Sequence, residues 1–199
     1  YFCSVKNRLF SFLFLGIAVV LMSAGLPGRL EKAYEALSIY NYFKAKELFY
    51  KSLDKDSVAA AYGLSVIYAR DDNPFTQIDS AHKFINVAER NWPTLESKTR
   101  IEYAEVEVDS LSIDAQAYGI DSIAFERAKN DRKIEAWNDY INRFDNLAFR
   151  QKAISYRNEM VFEEVMEINT AEAYQEFIYS YPNAAQIDQA EKLYDLRNF

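Results

Sequence analysis

Cysteine and histidine are almost missing from this sequence: Cys3 and His82 are the only ones. A lone cysteine forms no intrachain disulfide, and one of each leaves little material for a Cys-ligated metal site or a disulfide framework. Five glycines and four prolines leave equally little for a Gly-rich phosphate loop. Positive charge is short as well. There are 23 Lys and Arg against 30 Asp and Glu, a net charge of −7, with no basic block after the first residues. A nucleic-acid backbone needs clustered cations, so nucleic acid is set aside as a partner. What the chain does have is apolar residues at 50% of its positions and aromatics at 16%. That excludes a disordered or collagen-like chain, and 199 residues suit one domain or one compact array.

From Leu9 to Leu26 the chain reads LFSFLFLGIAVVLMSAGL, without a charge, after Lys6 and Arg8 and before Pro27-Gly28-Arg29. Basic flank, apolar run and the small residues Ser23, Ala24 and Gly25 fit a signal peptide cut after Gly25. The run is also near the lower limit for spanning hydrocarbon, so an uncleaved membrane anchor stays open beside it. Either way Lys6 and Arg8 stay cytoplasmic and everything after Arg29 is expected to be exported. Lipidation is not expected, because Cys3 precedes the apolar run instead of following it. The first residue is Tyr1 and not Met, so either the true start is missing or the numbering opens inside a longer product, and the last, Phe199, is a poor polar cap, so either the chain is expected to continue or something docks on this end.

Downstream, apolar residues recur at three- and four-residue spacing, which predicts an all-α protein of nine or ten helices. They are placed over 30–40, 43–54, 56–70, 76–91, 95–110, 114–129, 132–144, 149–167, 170–180 and 184–197. In the middle, Glu105-Val106-Glu107-Val108 alternates like a strand, whereas Ile101, Ala104, Val108, Leu111, Ala115 and Tyr118 keep a helical spacing. The longer periodicity favours helix. Breakers at Asp72-Asn73-Pro74, Trp92-Pro93, Asn130-Asp131 and Tyr181-Pro182-Asn183 mark the links.

An internal repeat is present. A shift of 37 residues superposes Glu135-Ala136-Trp137 on Glu172-Ala173-Tyr174, Tyr140-Ile141 on Phe177-Ile178 and Phe144 on Tyr181. The same shift matches Asn146 with Asn183, Ala148 with Ala185, Ala153 with Ala190 and Phe162 with Phe199. Each unit reads as a helix with its rings and an Ile facing inward, a turn, and a second helix admitting a small Ala. Ala153 and Ala190 are expected at close helix contacts. A two-helix unit cannot bury its apolar face alone, so neighbours must stack.

Ala81, Ile85, Ala88 and Pro93 carry the small, large, small and closing-proline spacing of the second helix of a tetratricopeptide repeat, and Tyr62-Gly63 and Val66 resemble the first helix. Ala33, Leu37, Tyr42, Ala45, Phe49 and Ser52 form an earlier, gapped unit. The phrase from Tyr174 to Ala184 is similar to the repeats of bacterial envelope proteins, such as the helical lipoprotein of the β-barrel assembly machine and the Tol-Pal coordinator. The resemblance covers roughly 30–94 and 132–199. It implies a superhelical stack of helix pairs, a TPR-like α-solenoid, that docks peptides or proteins in its concave face without catalysis. The chain then divides into the N-terminal segment 1–28, TPR-like repeats over 29–131, and the two 37-residue repeats over 132–199.

Candidate chemistry is sparse. His82, with Asp79 and Asn86 nearby but no nucleophile or second ligand, reads as an exposed helical residue. Asp71-Asp72-Asn73 begins like a calcium loop, but Phe75, Thr76 and His82 stand where a ligand, Gly and a bidentate Glu are needed. Glu102, Glu105, Glu107 and Asp109 read as a solvated face, as do Glu163, Glu164 and Glu167. No catalytic, metal or cofactor site is assigned, and no enzyme is expected. Tyr40, Tyr50, Tyr68, Tyr156 and Tyr179 lie off the repeat register and are candidates for a recognition surface. If the first helix of each unit lines the concave face, Asn138 and Asn142, with Gln175 and Tyr179 at the same offset, are the expected protein-binding positions. The reading is a non-enzymatic scaffold of the bacterial cell envelope, binding another envelope protein. The alternative is the helical part of a larger envelope protein whose further domain, peptidoglycan-binding or protease, does the work.

Overall fold

The structure, a computed structural model, describes residues 26–198. The apolar run from Leu9 lies outside them except for Leu26, which is buried against the first helix. Among the described residues there are ten α-helices and no strand, so the protein is all-α as expected. They are α1 (Gly28–Ser38), α2 (Tyr42–Ser52), α3 (Ser57–Ala69), α4 (Ile78–Asn91), α5 (Ser97–Ala104), α6 (Ser110–Asp131), α7 (Ile134–Arg143), α8 (Leu147–Ile168), α9 (Ala171–Ser180) and α10 (Ile187–Arg197). No helix among the described residues is long and apolar enough to cross a membrane.

Polar residues at the links start several helices by accepting orphan backbone N–H groups. Asn41 caps α2, Asn146 caps α8 and Thr170 caps α9 through their side chains. Asp109 and Ser112 form a reciprocal capping box at the start of α6. That box corrects the expected helix over 95–110. α5 stops at Ala104, Glu107 takes a left-handed backbone (φ 60°), and Asp109 opens a new helix, so the segment is neither continuous helix nor strand.

Consecutive helices pack in pairs: α1 on α2, α3 on α4, α7 on α8 and α9 on α10. Contacts between alternate helices run from α1 to α3, from α3 to α6 and from α6 to α8. The long α6 therefore joins the two halves, touching α3, α4, α7 and α8. The residues carrying the tetratricopeptide resemblance are largely inside: Ala33, Tyr42, Ala45, Phe49, Ser52, Gly63, Ala81, Ile85 and Ala88 are all buried. At Gly63 a Cβ would collide with the Phe49 ring, so the ring of α2 reaches the backbone of α3 only because no side chain stands there.

The 37-residue repeat holds in the backbone. α7 and α9 start and end 37 residues apart, and each follows a left-handed residue at the same offset, Arg132 (φ 54°) and Asn169 (φ 55°). Ala153 and Ala190 are both 0% exposed, as expected for close helix contacts. The second hairpin departs at its turn: α8 begins right after Asn146, whereas α10 begins four residues after Asn183, the matching position.

Buried apolar residues form two clusters, one from Leu26 to Ala153 and one from Phe162 to Ala190. The break falls inside α8, at the buried polar Asn158. Arg157 donates to its Oδ1 from Nη2 (2.8 Å) and Nε (3.1 Å), and stacks its guanidinium 4.9 Å from the Tyr181 ring. A satisfied polar pair thus separates two apolar cores along one helix.

Candidate functional site

The apolar side of α7 carries Trp137, Tyr140 and Ile141 into the core, with Phe144 following at its end. One position further round, Asn142 points to solvent and Asn138 is half-buried. On α9, Tyr174 and Phe177 are buried, while Gln175 is exposed and Tyr179 is 87% exposed. Three of the four expected binding positions are thus free at the surface. α8 lies between the two helices that carry them, packing on both. The contacts α1 to α3, α3 to α6 and α6 to α8 link one helix of each pair to the next.

The tyrosines off the repeat register divide. Tyr40, Tyr50, Tyr156 and Tyr179 are exposed, but Tyr68 is buried, stacked 5.8 Å from Phe84 and hydrogen-bonded to the Tyr50 hydroxyl at 2.9 Å. The two hydroxyls share one proton bridge, and burial with that bond pushes the Tyr68 pKa up to about 12. Asp72, the centre of the failed calcium motif, is held by Arg70 and by the Tyr42 hydroxyl (2.7 Å). The Arg70 guanidinium, then the Tyr42 hydroxyl, pull its pKa down to about 2.

His82 is corrected. It is half-buried, not exposed, because the turn between α7 and α8 brings the Phe144 ring to 4.4 Å from it. Asn86 Nδ2 donates to His82 Nε2 across 3.3 Å, and burial lowers the imidazole pKa, which keeps it neutral near pH 7.

Beside His82 opens a cleft of about 240 Å³ lined by α4 (His82, Asn86, Glu89), α6 (Asp114, Ala117, Tyr118, Asp121) and the α7–α8 turn (Asp145, Asn146). Four carboxylates line it and no Lys or Arg does. Asp121 is only 6% exposed. Its Oδ2 accepts the Asn146 N–H at 3.2 Å, which ties the first repeat turn to α6. Burial pushes its pKa up to about 6, the Asn146 N–H opposes the rise, and the Asp145 charge adds to it. Glu89 is also raised, by burial first and then by Asp145, Asp114 and Asp121. The sequence reading missed this cleft. No group of His, Cys, Asp or Glu among the described residues is arranged to hold a metal ion.

The apolar spacing read along α5 and α6 does not mark a buried face. Ile101, Leu111 and Tyr118 face solvent, with Leu111 76% exposed, and only Val108 of that series is buried beside Tyr103, Ile113 and Ile120. The exposed Leu111 and Tyr118 share a helical face that runs along α6 to the cleft.

No protein family, curated protein or solved structure matches the chain.

Proposed function

We propose that the helix pairs form one superhelical, TPR-like stack that works as a non-catalytic scaffold in the bacterial cell envelope, docking another envelope protein. The N-terminal apolar run serves as its export signal or membrane anchor. The observation that carries the docking reading is the repeated helix α7 and α9. Each keeps an aromatic row inside while presenting uncharged polar residues, Asn142, Gln175 and Tyr179, with Asn138 at the edge. Such groups hydrogen-bond an extended peptide or a partner helix without the cost of stripping water from a charge.

The test is capture of partner from membrane fractions by the full chain and by a variant with Asn138, Asn142, Gln175 and Tyr179 all changed to Ala. Capture should weaken at least about tenfold, or 1.4 kcal/mol, with helical circular dichroism and melting nearly unchanged. Undiminished capture would place the site elsewhere, and a molten variant would make these residues structural. Export is tested separately: a reporter active only after export, fused after Arg29, should be active in a bacterial host, whereas activity of a cytoplasm-only reporter would overturn the topology.

A further inference from the structure

We propose that the cleft between α4, α6 and the α7–α8 turn, with the apolar stripe Leu111–Tyr118 leading into it, is a docking site for an amphipathic partner segment that places one arginine among Glu89, Asp114, Asp121 and Asp145. The inference rests on the docking reading above and names the chemistry of a partner contact.

Charge complementarity commits the occupant. Four carboxylates converge on a lining with no cation of its own, and the imidazole of His82 is held neutral by burial. Arg90 and Arg143 act on His82 from outside that lining. Asp121 supplies an observation independent of the charge count. It is 6% exposed and lines the cleft, and the protein hydrogen bond that its carboxylate accepts among the described residues comes from the Asn146 N–H, on Oδ2. A carboxylate has room for more than one donor, and a guanidinium brings five. Arg suits the site better than Lys, because its planar fork serves several acceptors and gives up its water more readily, and the Tyr118 ring offers it a face.

Size and surroundings identify a side chain on a polypeptide instead of a free small molecule. About 240 Å³ lies below the usual range for small-molecule sites. Leu111 is 76% exposed and Tyr118 57% exposed, and together with Ala115 they form a ridge at the spacing of one helix face. Apolar residues of a partner would cover that ridge while its Arg enters the cleft.

The experiment uses the full chain in neutral detergent and a fluorescein-labelled peptide repeating Leu-Ala-Ala-Arg, followed by fluorescence anisotropy. The matching peptide carries citrulline, the uncharged isostere, at every Arg. Binding should weaken at least tenfold with citrulline, with Asp114→Asn plus Asp121→Asn, and with Tyr118→Ala. A charge-matched control on the exposed face of α8, Glu163→Gln plus Glu164→Gln, should leave the dissociation constant within twofold. If Asp121→Asn disturbs folding, Asp114→Asn alone, at an exposed position, still decides, because it should weaken binding several-fold. Equal loss in the α8 control would reduce the effect to the general negative field of the chain and overturn the proposal. So would unchanged binding in the Asp variants, or no binding of the Arg peptide to the unmodified protein. Failure of partner capture from membranes with peptide binding intact would sink the envelope reading and leave this site standing.

Discussion

The hairpins α7–α8 and α9–α10 repeat the same residues 37 positions apart, yet they end up in different surroundings. In the first, Trp137, Tyr140, Ile141 and Phe144 are all buried. Phe125 of α6 packs on Trp137 at 5.2 Å and on Tyr140 at 5.6 Å, and His82 of α4 covers Phe144. In the second, Tyr174 and Phe177 are buried but Ile178 and Tyr181 are only half-covered. The difference lies in the neighbours. α7 and α8 both have α6 against them, whereas among the described helices α9–α10 leans chiefly on α8. A repeated phrase therefore fixes which side of a helix is apolar, while the adjoining unit decides how much of that side leaves water.

The largest effect should come at the third ring of each unit. Phe144→Ala should cost about 3–5 kcal/mol by denaturant unfolding, the range for a fully buried ring. Tyr181→Ala, whose ring is half-exposed between Phe177 and the Arg157 guanidinium, should cost under about 2 kcal/mol. Equal losses would break the comparison.

Asp121 ties only the first hairpin turn to α6, so its titration reports on that turn alone. Burial raises its folded-state pKa to about 6 from an ordinary 3.8, so the stability linked to it is complete below the ordinary value and is lost as pH rises through 6. Asp121→Asn should match the unmodified protein near pH 4 and exceed it by up to about 3 kcal/mol at pH 7.5. A gap that does not grow with pH would remove Asp121 as the buried acid.

Ala153 and Ala190 are both sealed, so Ala→Leu at either should overpack a helix contact by about 1–3 kcal/mol. The Ala153 variant should lie at the upper end, because α8 is held between α7 and α9 and touches α6. Neutral thermal melts for both would mean that the 37-residue register is wrong.

The regular parts of the fold were legible because helix signals there are local. The limits of α7 and α9 follow from turn residues and apolar spacing, and the small residues Ala81, Ala153 and Ala190 lie where close packing needs them. The middle was not legible for two physical reasons. A left-handed Glu107 and the Asp109 cap interrupt a spacing that itself is unbroken, and Ile101, Leu111 and Tyr118 in that spacing stay exposed, with the Tyr118 ring touching a neighbour, Phe149 of α8. Periodicity reports that a face is apolar and says nothing of whether a neighbour arrives. The cleft was hidden because Glu89, Asp114, Asp121 and Asp145 come from three separate segments. The one local hint, Asp114 and Asp121 seven residues apart on one helical face with a Tyr between them, becomes informative only once α4 and the Asp145 turn are placed.

The docking claim is tested most directly by installing a photo-crosslinking residue at Tyr179 in the full chain and irradiating living bacterial cells, with Glu163 on the exposed side of α8 as the control position. A discrete protein adduct from position 179, absent from position 163, is the predicted result. Adducts of the same pattern from both positions, or none from position 179, would contradict the docking account.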